Sequence, residues 1–181
     1  MEIHLPVGIH CGPTNILRDR KIREYAYPFD WNISNKGTIL NLIESQGKDF
    51  LIDENVIIGS EFKTKYENLP DKWFLHKNVF DKKTGILIVH DYKAENGSLP
   101  EIREKYRVRF ERLHEHLNKA TKVTLYGDKH PSFIEGINYS LWSERVGEDF
   151  QSYLPEDKTL EDIKSLISSK YNILDIQITY L

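Results

Sequence analysis

Residues 2–18, EIHLPVGIHCGPTNILR, decide the fold class. Ile3, Leu5 and Val7 alternate with polar or small residues, the period of two that marks a strand. Pro6 places that strand near a sheet edge or gives it an irregularity. After Gly8 the chain turns, and Pro13 suits a first helical position, where its fixed φ is already helical. The stretch therefore reads strand, tight polar turn, short helix, with Cys11 in the turn.

The same alternation of elements continues along the chain. KGTILNLIESQ (36–46) has helical spacing at Ile39, Leu40 and Ile43, whereas FLIDENVII (50–58) is ambiguous and residues 60–72 are charged and irregular. FLHKNVFDKKTGILIVHDY (74–92) is two apolar runs around a DKKTG turn, which predicts a hairpin. Its second run, GILIVH, is unbroken, as in a strand buried on both faces. Ile102, Tyr106, Phe110, Leu113 and Leu117 form an apolar helical stripe over 102–120, with Pro100 just before it. KVTLYGDKHP (122–131) is a strand and turn, SFIEGINYSLWSE (132–144) a helix with Ser132 and Glu135 at capping-box spacing, and TLEDIKSLISSKY (159–171) a further helix. In the final NILDIQITYL, Leu174, Ile176, Ile178 and Tyr180 alternate strictly. The expected fold is α/β: one layered domain over 1–181, with a central, mostly parallel sheet flanked by helices and a hairpin at the sheet edge.

Length and composition fit that expectation. The 181 residues are 39% hydrophobic and 29% charged, with a net charge of −3. No run approaches a membrane span, and MEIHLPVG lacks the basic and long apolar regions of a signal peptide. A single cysteine forms no internal disulfide and builds no structural zinc site, which suits a reducing, cytoplasmic setting. No cofactor, metal, nucleic-acid or membrane partner is expected. The basic run REKYRVRFER (103–112) reads as a solvated helix face, balanced by Glu101, Glu104, Glu111 and Glu115.

Three polar clusters fall at strand ends, where ligands bind in layered α/β sheets: GIHCG, VHDY and YGDKHP. Cys11 lies at a helix start, where the dipole and free N–H groups stabilise a thiolate and an oxyanion. The competing reading is a small packed hydrophobe. His10 is adjacent to Cys11 and poorly placed as its base, while His90 ends the buried strand and His130 lies in the turn after another strand. Asp128 and His130 together are too few to hold a metal.

GIHCGPTNILRDRKIREYAYPFDWNIS, with Gly8 and Cys11 three positions apart, Pro28-Phe29-Asp30-Trp31, and a later His90-Asp91, resembles the family described as putative papain-like cysteine peptidases. The resemblance spans about two thirds of the chain. It implies Cys11 as nucleophile and His90 as base, acting on a peptide, isopeptide or other acyl substrate. Asp91 neighbours His90 along a strand and so tends to face away from it. Asp30 and Asp128 are alternative orienting acids. Gly12, Asn15, Arg18, Trp31, Asp128 and His130 are the candidate substrate-binding residues, with backbone amides from Gly12 to Asn15 as the oxyanion donors. PFDW also reads as a structural turn, Trp31 packed and Asp30 paired with an arginine such as Arg18. The alternative function is a binding or sugar-modifying domain for a glycan or nucleotide-sugar, with Cys11 structural.

Overall fold

The computed structural model describes residues 1–59, 76–93, 95–129 and 139–181. It is a mixed α/β fold with two sheets. The parallel sheet has three strands in the order β1-β6-β7. β1 (Glu2–Pro6) and β7 (Asp175–Tyr180) flank β6 (Lys122–Gly127), with Leu125 opposite both Leu5 and Ile178. Pro6 closes an edge strand, where its missing N–H removes no ladder bond.

The second sheet is antiparallel, in the order β2-β5-β4-β3, formed by β2 (Asn32–Ile33), β3 (Val56–Ile58), β4 (His76–Asp81) and β5 (Ile86–Lys93). The hairpin expected from DKKTG is β4–β5, closed by pairing of Asp81 with Ile86. Gly85 turns the chain at φ 74, a left-handed conformation that glycine adopts without strain. The Asp81 carboxylate is buried beneath the turn and accepts from the amides of Leu51 and Lys83, each at 3.0 Å. The hairpin sits inside its own sheet rather than on the edge of the parallel one. β2, on the far side of β5, makes the difference, and two residues are too few to carry a period. Just beyond β1 and β2 the sheets meet through Ser34 N–H to the Ile9 carbonyl at 3.2 Å.

The helices are α1 (Gly12–Asp19), α2 (Lys36–Ser45), α3 (Leu99–Lys119), α4 (Tyr139–Val146) and α5 (Leu160–Tyr171). Asn35 caps α2 by accepting from Thr38 N–H at 2.8 Å, and Ser98 caps α3. A reciprocal capping box opens α5 at Thr159 and Asp162. The capping pair expected at Ser132 and Glu135, and residues 60–72, lie outside the described residues.

One core cluster joins Ile3 and Leu5 of β1, Val123 and Leu125 of β6, the α3 stripe Ile102, Tyr106, Phe110, Leu113 and Leu117, and Ile163, Ile167 and Ile176 near the C-terminus. Residues 160–181 thus complete both the sheet and its core. In the last strand Ile176 is buried, but Leu174, which precedes β7, is 91% exposed and Tyr180, its last residue, 61%. No helix among the described residues is long and apolar enough to cross a membrane.

Candidate functional site

The loop from β1 to α1 is built around Asp128, the residue after β6. Because β1 and β6 are parallel neighbours, their carboxyl ends coincide. Asp128 is 5% exposed. Its Oδ2 accepts from Ile9 N–H, and its Oδ1 lies 3.4 Å from His10 Nε2. The other ring nitrogen, His10 Nδ1, accepts from Gly12 N–H at 2.8 Å. His10 therefore braces the loop with both nitrogens. The two glycines of GIHCG are required by close approach. A Cβ on Gly8 would run into Asp128 Oδ2 and lie 2.6 Å from the Pro13 ring, and one on Gly12 would strike the His10 ring.

This brace presents Cys11 as the N-cap of α1, half-buried and without a side-chain cap bond. The amides expected to hold an oxyanion are partly committed. Gly12 N–H goes to His10, Pro13 has none, and Asn15 N–H bonds the Cys11 carbonyl at 3.0 Å. Among the described residues, the first-turn amide left without an acceptor is that of Thr14, whose buried hydroxyl oxygen also has no partner. The thiol differs from expectation too. Burial pushes the Cys11 thiol up, its own backbone amide pulls it down, and the Asp128 charge adds to the rise. The resting group is a thiol, not a thiolate. Asp128→Asn keeps an acceptor for Ile9 N–H and removes the charge, so it is expected to lower the thiol's pKa. Iodoacetamide should then alkylate Cys11 up to about tenfold faster at pH 8, a pKa unit being worth a factor of ten. An unchanged rate would mean that Asp128 does not act on the thiol.

His90, exposed near the end of β5, faces the Trp31 ring edge-on at 6.1 Å between centroids. Trp31 has φ 62, uncommon for a bulky residue. Its turn is fastened from below. Asp30, fully buried, accepts from Arg23 Nε at 2.8 Å and from Tyr27 N–H at 3.2 Å. Asn32 donates to the Pro28 carbonyl and accepts from Tyr106 Oη at 2.7 Å. The arginine holding Asp30 is thus Arg23 rather than Arg18. Arg18 instead lies over the Trp31 ring, its Cζ 5.4 Å from the centroid, and pairs with Asp19. Helical side chains lean toward the N-terminus, so Arg18 reaches back along the Cys11 face of α1. Arg18 and His90 thus both meet Trp31, Arg18 over its ring and His90 at its edge. Cys11 makes no hydrogen bond to a described histidine, and His130 lies outside the described residues.

Asp91, next to His90, turns away as strand geometry requires. It is bound by Lys105 and by Arg109 at 3.2 Å, and Tyr106 Oη, whose single proton is shared with Asn32, lies 2.9 Å away. Arg109 is 6% exposed, so the basic run of α3 is not wholly a solvated face. The sequence carried that signal: Arg109 lies three residues after Tyr106, beside the apolar stripe. Burial pushes the Asp91 carboxyl up, but Arg109, Lys105 and Tyr106 outweigh it and hold it below the usual carboxylate range. A depressed carboxyl contributes stability above its unfolded pKa and loses it as pH falls through the folded value. Urea denaturation should therefore find Asp91→Asn less stable than wild type at pH 7, with the gap closing as pH drops below about 4. A gap that does not vary with pH would contradict the ionic role. Among the described residues, no group of three or more His, Cys, Asp or Glu side chains is placed to hold a metal ion.

Residues 3–129 match the family described as "Putative papain-like cysteine peptidase (DUF1796)", and the chain belongs to that family. Cys11, the PFDW turn, His90-Asp91 and Asp128 all fall within the matched span. No curated protein and no solved structure matches the chain.

Proposed function

We propose that the protein is a thiol-dependent acyl hydrolase or acyl transferase, with Cys11 as nucleophile and His90 as general base. The observation that carries this reading is the placement of Cys11: N-cap of α1 at the carboxyl end of β1, fixed by the Asp128–His10 brace, inside a family described as a putative cysteine peptidase. In the first step the sulfur attacks the substrate carbonyl and its proton passes to His90. The tetrahedral oxyanion takes the amides of Thr14 and Cys11 as donors. The leaving group departs with the proton held by His90. Water, or an acceptor amine or alcohol, then displaces the thioester and restores the thiol. A peptide, isopeptide or other acyl compound meets these requirements.

The test uses the full chain and an activated acyl ester, p-nitrophenyl acetate. Rapid quenching and mass spectrometry should find one acetyl group on the peptide containing Cys11. The modification should be absent in Cys11→Ala and slower to form in His90→Ala. Ester turnover with Cys11 never acylated would overturn the reading.

A further inference from the structure

Between the PFDW turn and α3 lies an open cleft of about 300 Å³, lined among the described residues by Trp31, His90, Asp91, Lys105 and Arg109. Its charges do not balance. The single Asp91 carboxylate receives both Lys105 and Arg109, with the Tyr106 hydroxyl beside it. Among the described lining residues, two cationic side chains face one carboxylate, in a protein whose net charge is −3. Arg109 is held almost entirely out of water, and a poorly hydrated guanidinium is the better partner for a planar oxyanion. The cleft over α2 and α3 makes the contrast. There Arg107 is matched by Glu104 and Glu111, and Arg103 by Asp53, so no cationic excess remains.

The lining also holds an aromatic side chain, Trp31, whose turn is fixed. Trp31 keeps a left-handed backbone at φ 62, a conformation unfavourable for a bulky residue. The Asp30–Arg23 pair and the Asn32 bonds to Pro28 and Tyr106 hold it there. Tyr106 joins that turn to Asp91, since its hydroxyl lies 2.7 Å from Asn32 Oδ1 and 2.9 Å from Asp91 Oδ2. A strained residue that the surrounding structure over-determines is the pattern of a ligand clamp.

We propose that this cleft binds an oxyanion, carboxylate or phosphate, carried next to a flat apolar group. The oxyanion meets Lys105 and Arg109, and the flat group packs at Trp31 beside the Arg18 and Arg23 guanidiniums, which lie 5.4 and 5.9 Å from its ring centroid. This site does not depend on a reactive Cys11, so its test runs equally well in Cys11→Ser.

The experiment titrates the full chain with benzoate, its neutral isostere benzamide, and phenyl phosphate, following binding by calorimetry and by the Trp31 indole N–H resonance. Benzoate is expected to bind about tenfold or more tightly than benzamide, the worth of a charge-assisted hydrogen bond. Lys105→Ala should lose about tenfold in benzoate affinity and Lys105→Arg should restore it. Lys105 is 45% exposed along its side chain, so these substitutions leave the core intact. Tighter binding of phenyl phosphate with the same Lys105 dependence would support the site and assign phosphate as its anion. The proposal is overturned if benzoate and benzamide bind alike, if no probe binds at about 10 mM, or if Lys105→Ala binds as wild type does.

Discussion

Asp30→Ala is expected to lower the stability of the fold by about 3 kcal/mol, the lower end of the range for removing one partner of a buried ion pair. For a chain of this length that corresponds to a fall in Tm of roughly 6–12 °C. The lower end applies because Arg23 keeps 17% of its side chain exposed and can recruit water once its partner is gone. Two further groups lose an acceptor, the Tyr27 amide and the second Arg23 donor. Asp30→Asn should be much milder, because an amide oxygen still accepts from Tyr27 and the isostere leaves no cavity. The pH dependence separates the effects. Burial pushes the Asp30 carboxyl up, and the Arg23 charge and hydrogen bonds only partly offset it. A carboxyl raised in the folded state contributes stability that is fully present below the unfolded pKa and is lost as pH rises through the folded value. Wild type should therefore gain stability relative to Asp30→Asn as pH falls from neutral toward about 4. Urea unfolding of the three proteins at pH 7 and pH 5 measures this. If Asp30→Asn unfolded like wild type at both pH values yet abolished acyl transfer, Asp30 would belong to the chemistry and not to the turn.

What the sequence made legible follows from how far each signal reaches. β1, β5, β6 and α3 announce themselves through periods completed within a few residues, and each forms where its pattern falls. The DKKTG turn fixes the hairpin but not the sheet that receives it. That choice rests on β2 and β3, two and three residues long, whose strand character exists only in their pairing with β5 and β4. The site divides in the same way. The strand-end position of GIHCG and Asp128 is local information, whereas His90-Asp91, expected at a strand end, lies within β5, which runs on to Lys93. That Asp128 serves Ile9 and His10 is a relation across 119 residues, created when β1 and β6 lie side by side. Arg23, not Arg18, meets Asp30 because the chain folds back after α1, with the amides of Ile22 and Arg23 both bonding the Leu17 carbonyl. Arg109 was hidden by composition: a run rich in both signs reads as solvated unless each charge is placed on the helix stripe. Cys11 shows the limit of a local rule, since a helix start predicts a lowered thiol and burial beside a carboxylate produces a raised one.

That raised thiol constrains how the proposed acyl transfer would run, and the largest expected effect follows from it. A thiol protonated at rest makes little thiolate at neutral pH, so its proton has to leave in the transition state. On an ester substrate, Cys11→Ala should therefore lower kcat about 10³-fold or more, and His90→Ala by about 10²–10⁴-fold, with KM changing far less in either variant. Alkylation by iodoacetamide needs no base to be positioned and reports the thiol alone. It should titrate above the usual value of about 8.5 in wild type and change little in His90→Ala. The two measurements then separate. Under the proposed mechanism catalysis should fall steeply without His90 while alkylation should not, because there His90 takes the moving proton and forms no resting ion pair. Equal losses in both assays would instead mean a thiolate–imidazolium pair formed before substrate arrives. Full activity in His90→Ala, with Cys11→Ala inactive, would move the base to another histidine and leave the nucleophile standing. Full activity in Cys11→Ala would make the cysteine a packing residue whatever His90 does.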